Sequence, residues 1–123
     1  MNNYKSGRLA EFFARLLFIF KGYTILSKNF KVGKGFNIGE VDFVARKGKT
    51  IVFVEVKKRT SLETAAYAIS ENQKKRIIRD AEFFLKTHPQ YKNSDIRFDA
   101  VLIAFPCHIR HLKNAWNIEN IQY

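Results

Sequence analysis

Residues that cross-link or interrupt a chain are scarce in this sequence. Its 123 residues include one cysteine, two prolines and six glycines. A single cysteine cannot form an internal disulfide bond, which excludes a small secreted domain held together by disulfides and favours a reducing cytoplasm. No proline-rich or serine-rich linker, internal repeat or low-complexity tract divides the chain, so we expect a single domain over residues 1–123.

Long hydrophobic runs are also lacking. The longest early apolar run, Leu16–Phe20, is far shorter than the ~18–20 residues that a membrane-spanning helix needs. We therefore expect no membrane span. Hydrophobic residues nevertheless make up 46% of the chain and aromatic residues 15%, which is enough for a packed core and excludes a wholly disordered protein.

Acidic side chains are outnumbered by basic ones. The chain has 11 Asp and Glu against 22 Lys and Arg, a formal net charge of +11. An excess of this size in a small domain predicts an anionic partner, and nucleic acid is the first expectation. No helix-turn-helix, zinc-finger or RNA-recognition signature is present, which favours recognition of nucleic-acid structure over sequence. The alternatives are an acidic protein, an anionic lipid surface, or a charge that serves solubility alone.

The hydrophobic spacing predicts an α/β fold with the element order α-β-β-β-α-β and a possible final strand. A mixed central sheet flanked by helices is the natural packing for this order. Helices are predicted over Tyr4–Lys21 and Leu62–Thr87, the second with a possible break near Ser70. Strands are predicted over Tyr23–Lys31, Ile38–Arg46, Thr50–Lys58 and Arg97–Phe105, and Trp116–Tyr123 is the possible last strand.

The hairpin formed by the second and third strands carries the most unusual residues. Glu55 and Lys57 point to the same face because strand residues two apart share a face. A two-residue turn at Lys47-Gly48 would place Asp42 on that face too, and a four-residue turn would set it opposite Glu55. A three-residue loop or one unmatched bulge would move Asp42 to the other face. We expect the three side chains to converge.

Two carboxylates beside a lysine suit metal-assisted hydrolysis of a phosphate ester. Mg²⁺ prefers oxygen ligands and is commonly held by one or two carboxylates plus water. A bound metal lowers the pKa of its water, and a lysine can stabilise the anion that develops. The alternative interpretation is a surface hairpin with a cross-strand Glu–Lys pair.

Five short motifs, taken in order, resemble those of the YraN-like family of the restriction-endonuclease-like superfamily. They are Gly7-Arg8-x-x-Glu11, Gly22-Tyr23-x-Ile25-Leu26-x-x-Asn29, Gly39-Glu40-Val41-Asp42-Phe43-Val44-Ala45, Phe53-Val54-Glu55-Val56-Lys57-x-Arg59 and Arg97-Phe98-Asp99. The resemblance implies a restriction-endonuclease-like fold akin to archaeal Holliday-junction resolvases. It also implies a metal-dependent endonuclease that acts on DNA, with branched or recombination intermediates as possible substrates and a homodimer as the possible assembly.

The resemblance further implies a role for each residue of the site. Asp42, Glu55 and the backbone carbonyl of Val56 would hold Mg²⁺ or Mn²⁺, and Lys57 would be the catalytic lysine. Glu11 matches a helix glutamate that helps to hold the metal or its waters. Without the resemblance, a plain helix-surface pair between Glu11 and Arg15 is the simpler interpretation.

The sequence departs from the family pattern in four respects, which bear on substrate contacts more than on the acidic core. Val41 stands in place of proline before Asp42, and the stretch after Arg59 lacks a glycine that many relatives have. Gln73 stands where many relatives have a lysine, and Ile77 stands where a tyrosine would complete a helix motif. A non-catalytic nucleic-acid-binding module that retains the fold is an alternative. The residues expected to contact nucleic acid are Arg8, Lys34, Lys47, Lys58, Arg59, Gln73, Lys74, Lys75, Arg76 and Arg79.

Overall fold

Five strands form one mixed sheet, with a helix against each face, in the order α-β-β-β-α-β-β. The computed structural model describes residues 3–30, 41–61, 69–104 and 108–116. Within these ranges the helices are α1 (Asn3–Phe20) and α2 (Glu71–Thr87), followed by a short 3₁₀ helix (Pro89–Tyr91). The strands are β1 (Thr24–Phe30), β2 (Val41–Lys47), β3 (Thr50–Arg59), β4 (Asp95–Ala104) and β5 (His108–Trp116). The predicted α/β fold class is confirmed.

The sheet has β3 at its centre, in the spatial order β1-β2-β3-β4-β5. Only the β3–β4 pair is parallel, and the other three pairs are antiparallel. Ile51 and Phe53 of β3 belong to the hydrophobic cluster under α2, while Val52 and Val54 belong to the cluster under α1. This strand is therefore buried on both faces, as its unbroken apolar run predicts.

The β2–β3 hairpin turns at Gly48-Lys49, one residue later than predicted from Lys47-Gly48. Lys47 pairs with Thr50, and Gly48 has a φ of 60°, a left-handed conformation that suits glycine in a tight turn. Moving a two-residue turn by one position changes the register by two residues. Because strand side chains alternate with a period of two, every side chain keeps its predicted face.

The chain ends α1 in a left-handed turn. Gly22 has a φ of 95°, and its N–H donates to the carbonyl of Ile19 at 3.0 Å. The Lys47 Nζ donates to the carbonyl of Lys21 at 2.8 Å and lies 5.3 Å from the ring centre of Tyr23. A cation at this position complements the negative end of the helix dipole.

Replacing Gly22 with alanine is expected to lower the free energy of unfolding by about 1–2 kcal/mol. The cause is backbone strain, since among the described residues an added Cβ would meet only the Lys47 side chain, at ordinary distances of 3.5 Å to Cε and 3.7 Å to Nζ. Denaturant titration measures the loss. Gly48→Ala is the comparison: it too has a positive φ, nearer the left-handed helical region, and a smaller loss is expected. A Gly22→Ala variant as stable as the wild type would contradict the strain argument.

In the second predicted helical stretch, α2 begins at Glu71, directly after the possible break predicted near Ser70. Residues 62–68 of that stretch lie outside the described part of the chain. Ser70 is the N-cap residue, and its hydroxyl accepts a hydrogen bond from the Gln73 N–H at 3.1 Å. The helix ends at Thr87, two residues before Pro89, as predicted. Among the described residues, no helix is both long enough and apolar enough to cross a bilayer.

The strand β5 (His108–Trp116) was not predicted from the sequence. The possible last strand, Trp116–Tyr123, lies outside the described ranges except for Trp116. An edge strand contacts the core through few side chains, and those of β5 that are buried are His111 and Trp116. Its polar sequence therefore lacks the alternation that identifies a half-buried strand.

Candidate acidic site at the end of the hairpin

Asp42 and Glu55 meet where the β2–β3 ladder ends. The last pair in the register is Phe43 with Val54, so the next residue on each strand is Asp42 on β2 and Glu55 on β3. Their carboxyl groups share a hydrogen bond, and the backbone N–H of Val56 donates to the Asp42 Oδ2 at 2.6 Å. The expectation that Asp42 and Glu55 share a face is confirmed.

Three further side chains approach this acid pair. Glu11 reaches it from α1 and forms a hydrogen bond with Asp42. Gln73 reaches it from the first turn of α2, where its Nε2 donates to the Glu55 Oε2 at 2.9 Å. Lys57, two residues after Glu55 on β3, favours ionisation of Glu55 through its charge. Both helices and both central strands thus contribute to one polar site.

The acid pair holds a proton that ordinary carboxyl groups would lose at neutral pH. Burial and the neighbouring Glu55 raise the pKa of Asp42 to about 9. The hydrogen bonds of Asp42 with the Val56 N–H and Glu11 lower it, but by less. Burial also raises the pKa of Glu55, which is only 3% exposed. Two carboxylates in one buried site cannot both carry charge at low cost unless a cation joins them.

Replacing Asp42 with asparagine is expected to flatten the pH dependence of stability in a chelating buffer. An unfolded Asp loses its proton near pH 3.8, whereas native Asp42 keeps it until about pH 9. Native protein therefore binds more protons than unfolded protein in this window, and stability falls as pH rises, by up to about 1.4 kcal/mol per pH unit. Urea midpoints between pH 5 and 9 measure the slope. Asp95→Asn, at an exposed position, should follow the wild-type curve, and parallel curves for all three proteins would contradict the argument.

The donor set of this site fits a divalent oxygen-seeking cation. Two carboxylates and the carbonyl of Val56 are hard oxygen donors. A bound cation would displace the proton that the two carboxyl groups share. In the described part of the chain, no group of three or more His, Cys, Asp or Glu side chains is arranged to hold a metal ion. A magnesium ion here would therefore have two carboxylate ligands and complete its shell with water or a phosphate oxygen.

Several residues expected to contact nucleic acid are engaged within the protein instead. Gln73 faces the acid pair, Lys47 caps α1, and Lys74 pairs with Glu71 at 3.1 Å. Lys34 lies outside the described residues. Contact of these four residues with nucleic acid stays a prediction. In the structure, the Gln73 side chain donates a hydrogen bond to Glu55.

The remaining candidates lie on two surfaces. Lys58 and Arg59 end β3, just beyond Lys57, and Arg8 is exposed on α1. Lys75, Arg76 and Arg79 lie on α2 and, with Asn72, line one cavity. Both groups of basic side chains lie on elements that carry the acidic site.

A second polar network was not anticipated from the sequence. Asp99 of β4 is fully buried and accepts hydrogen bonds from the Arg97 Nε and Nη2 at 2.8 Å each, the His111 Nε2 at 2.6 Å and the Asn114 N–H at 2.9 Å. Arg97 also donates to the Tyr23 hydroxyl at 2.6 Å. Burial opposes ionisation of Asp99, but these hydrogen bonds outweigh it and lower its pKa. The Arg97-Phe98-Asp99 motif was noted only for its likeness to the family pattern.

Comparison with known proteins agrees with the sequence motifs. A family model described as "Uncharacterised protein family UPF0102" matches residues 10–103, a range that contains every residue of the acidic site. A UPF0102 protein of Paramagnetospirillum magneticum is 43% identical over 116 residues, covering 94% of this chain and 89% of that protein. UPF0102 proteins of a Bradyrhizobium species and of Nitrobacter winogradskyi are 44% and 42% identical over 114 residues each, covering 93% of this chain and 81% and 93% of those proteins.

Proposed function

We propose that this chain, which belongs to the UPF0102 family, is a metal-dependent endonuclease that hydrolyses phosphodiester bonds in DNA. The family is the YraN family of the restriction-endonuclease-like superfamily that the motifs indicated. Fold and family do not by themselves assign chemistry, so the proposal depends on the site. The observation that carries it is the pair of half-buried Asp42 and buried Glu55, whose carboxyl groups share a hydrogen bond beside Lys57 in a domain of net charge +11.

Each residue of the site has a part in this reaction. Asp42, Glu55 and the Val56 carbonyl would hold Mg²⁺ or Mn²⁺, which supplies an acidified water and offsets charge on the attacked phosphate. The Val56 N–H and the Gln73 amide fix the orientation of the two carboxylates through their hydrogen bonds. Glu11, which contacts Asp42, would orient water. Lys57 would stabilise the negative charge that develops on the phosphate oxygens.

The test is a cleavage assay on labelled four-way junction, flap, duplex and single-stranded DNA with Mg²⁺, Mn²⁺ or EDTA. Cleavage is expected with either metal and not with EDTA. Asp42→Asn should remove it, because the variant loses a charged ligand while the shape of the side chain is kept. Asp95→Asn is the matched control, since it makes the same change at an exposed position on β4, outside the acidic site.

The outcomes separate the proposed function from its rivals. Binding of DNA without cleavage, unchanged in Asp42→Asn, would replace the enzyme with a nucleic-acid-binding module. Lack of DNA binding at about 0.15 M salt would favour an acidic protein or an anionic lipid surface as partner. Preference for the junction or flap would support branched DNA as the substrate.

Two finer points belong to the same proposal. A cytoplasmic location suits a chain with one cysteine, which would stay reduced there. A homodimer suits a symmetric branched substrate, because two symmetric cuts need two acidic sites. Sedimentation of the protein with and without junction DNA tests the dimer directly.

A further inference from the structure

A basic cavity of about 280 Å³ opens on one side of α2. Its lining residues are Asn72, Lys75, Arg76 and Arg79. Asn72, Arg76 and Arg79 follow the helical spacing i, i+4 and i+7, so they form a single stripe along the helix. All three ionisable residues of the lining are basic, and no carboxylate of the described part of the chain lines the cavity.

The guanidinium of Arg76 has unused hydrogen-bonding capacity at this cavity. Its Nε is buried and has no hydrogen-bond partner among the described residues. The ion pairs of Lys74 with Glu71, and of Arg97 and His111 with Asp99, do not involve Arg76 or Arg79. A buried donor without an acceptor is costly, and a ligand that accepts from it would remove that cost.

The chemistry of the lining selects a phosphate. Guanidinium groups bind phosphate oxygens through paired N–H donors, and the Asn72 amide adds a neutral donor. The volume equals that of about nine water molecules in the liquid, so a phosphate and several of its waters fit. An apolar ligand would offer no acceptor to the guanidinium groups of Arg76 and Arg79.

The helix ties this cavity to the acidic site. Gln73, which bonds to Glu55, is the neighbour of Asn72 in the chain, and Arg79 lies about 9 Å further along the helix axis. We propose that the cavity holds one backbone phosphate of the bound nucleic acid, a few nucleotides from the phosphate that is cleaved. This inference rests on the proposed function, because it makes the cavity an anchor for the same substrate.

The test measures DNA binding with chelator present, so that cleavage plays no part. The logarithm of the affinity of a labelled single strand falls with the logarithm of salt concentration, in proportion to the number of phosphates contacted. Arg79→Gln is expected to weaken binding about tenfold and to reduce this slope by about one contact. Arg76→Gln should do the same. Lys86→Gln, an exposed lysine on α2 outside the cavity, is the matched control and should keep the wild-type slope.

Arginine Nε–H signals in NMR spectra identify the groups that the ligand contacts. Addition of the single strand should shift the signals of Arg76 and Arg79, and Arg110 on β5 serves as the reference. An unchanged slope in both arginine variants, or unmoved signals, would overturn the proposal. Signals that respond to inorganic phosphate but not to DNA would also overturn it, by assigning the cavity to a free anion. Absence of cleavage in every assay would refute the proposed nuclease activity, but it would not contradict binding of a DNA phosphate in the cavity.

Discussion

Replacing Lys57 with alanine is expected to lower the rate constant for metal-dependent cleavage by about 100–1000-fold, with a much smaller change in DNA affinity. Removal of one group that stabilises developing charge in an active site has an effect of this size. Lys57 lies two residues after Glu55 on the same strand face and acts on it electrostatically, so the proposed reaction requires the attacked phosphate to bind beside it. Single-turnover cleavage with saturating enzyme measures the rate apart from binding.

Lys58→Ala is the control that the chain itself offers. It makes the same substitution at the next residue, whose side chain points to the opposite face of β3. Its cleavage rate should stay within a few-fold of the wild type, while both variants lose one positive charge. Equal losses in Lys57→Ala and Lys58→Ala would show that general basic charge, rather than a positioned ammonium, supports the reaction.

The convergence of Asp42 and Glu55 could be predicted because it depends on parity alone. Apolar residues identified both strands, and a turn with an even number of residues keeps opposite side chains on one face. The turn was misplaced by one residue, yet the acid pair still lies together. A local pattern with a period of two is therefore sufficient for this part of the site.

Contacts between distant residues could not be predicted in the same way. The approach of Gln73 to Glu55 depends on how α2 packs on the sheet, and no sequence period encodes that packing. The contact between Glu11 and Asp42 was expected only from the family resemblance, since the residues alone favoured a pair between Glu11 and Arg15. Element types thus follow from local sequence, whereas the remaining members of the site follow from tertiary packing.

The network around Asp99 also depends on contacts between distant residues, which local sequence does not predict. It joins Lys21, Tyr23, Arg97 and His111, which are up to 90 residues apart in the chain. Asn114 completes it from a β-bulge, where its φ of 53° is one that asparagine tolerates. The sequence analysis predicted no strand over His108–Trp116, so it did not place His111 and Asn114 beside β4.

Loss of the Asp99 carboxylate is expected to be the most destabilising single change considered. Asp99→Ala removes the acceptor of four hydrogen bonds and leaves the Arg97 guanidinium and the His111 ring beside a buried gap. Breaking a buried charge pair from one side costs about 3–5 kcal/mol, and partial exposure of Arg97 places this case at the lower end. A domain whose total stability is about 5–15 kcal/mol would lose a large share of it.

The destabilisation should depend on pH in a way that identifies its cause. The pKa of Asp99 is lowered in the folded protein, so its charge stabilises the fold above pH 3.8, and this contribution is lost as pH falls through the folded value. The difference in unfolding free energy between wild type and Asp99→Ala should therefore shrink in strongly acidic solution. Denaturant titrations at several pH values measure this difference if Asp99→Ala folds. Asp99→Asn keeps the side-chain volume, so it should lose less stability and allows the same comparison.

Asp95→Ala is the reference for this prediction, because Asp95 is an exposed carboxylate on the same strand. Its cost should be below about 0.5 kcal/mol. If Asp99→Ala lowered the free energy of unfolding no more than Asp95→Ala, the network would make no measurable contribution to the stability of the fold. If it is harmful as expected, the bonds from β4 to Tyr23 and, through His111, to Lys21 fix the end of α1 on the sheet. The same helix carries Glu11 to the acid pair, so a residue remote from the reaction would set the position of one of its carboxylates.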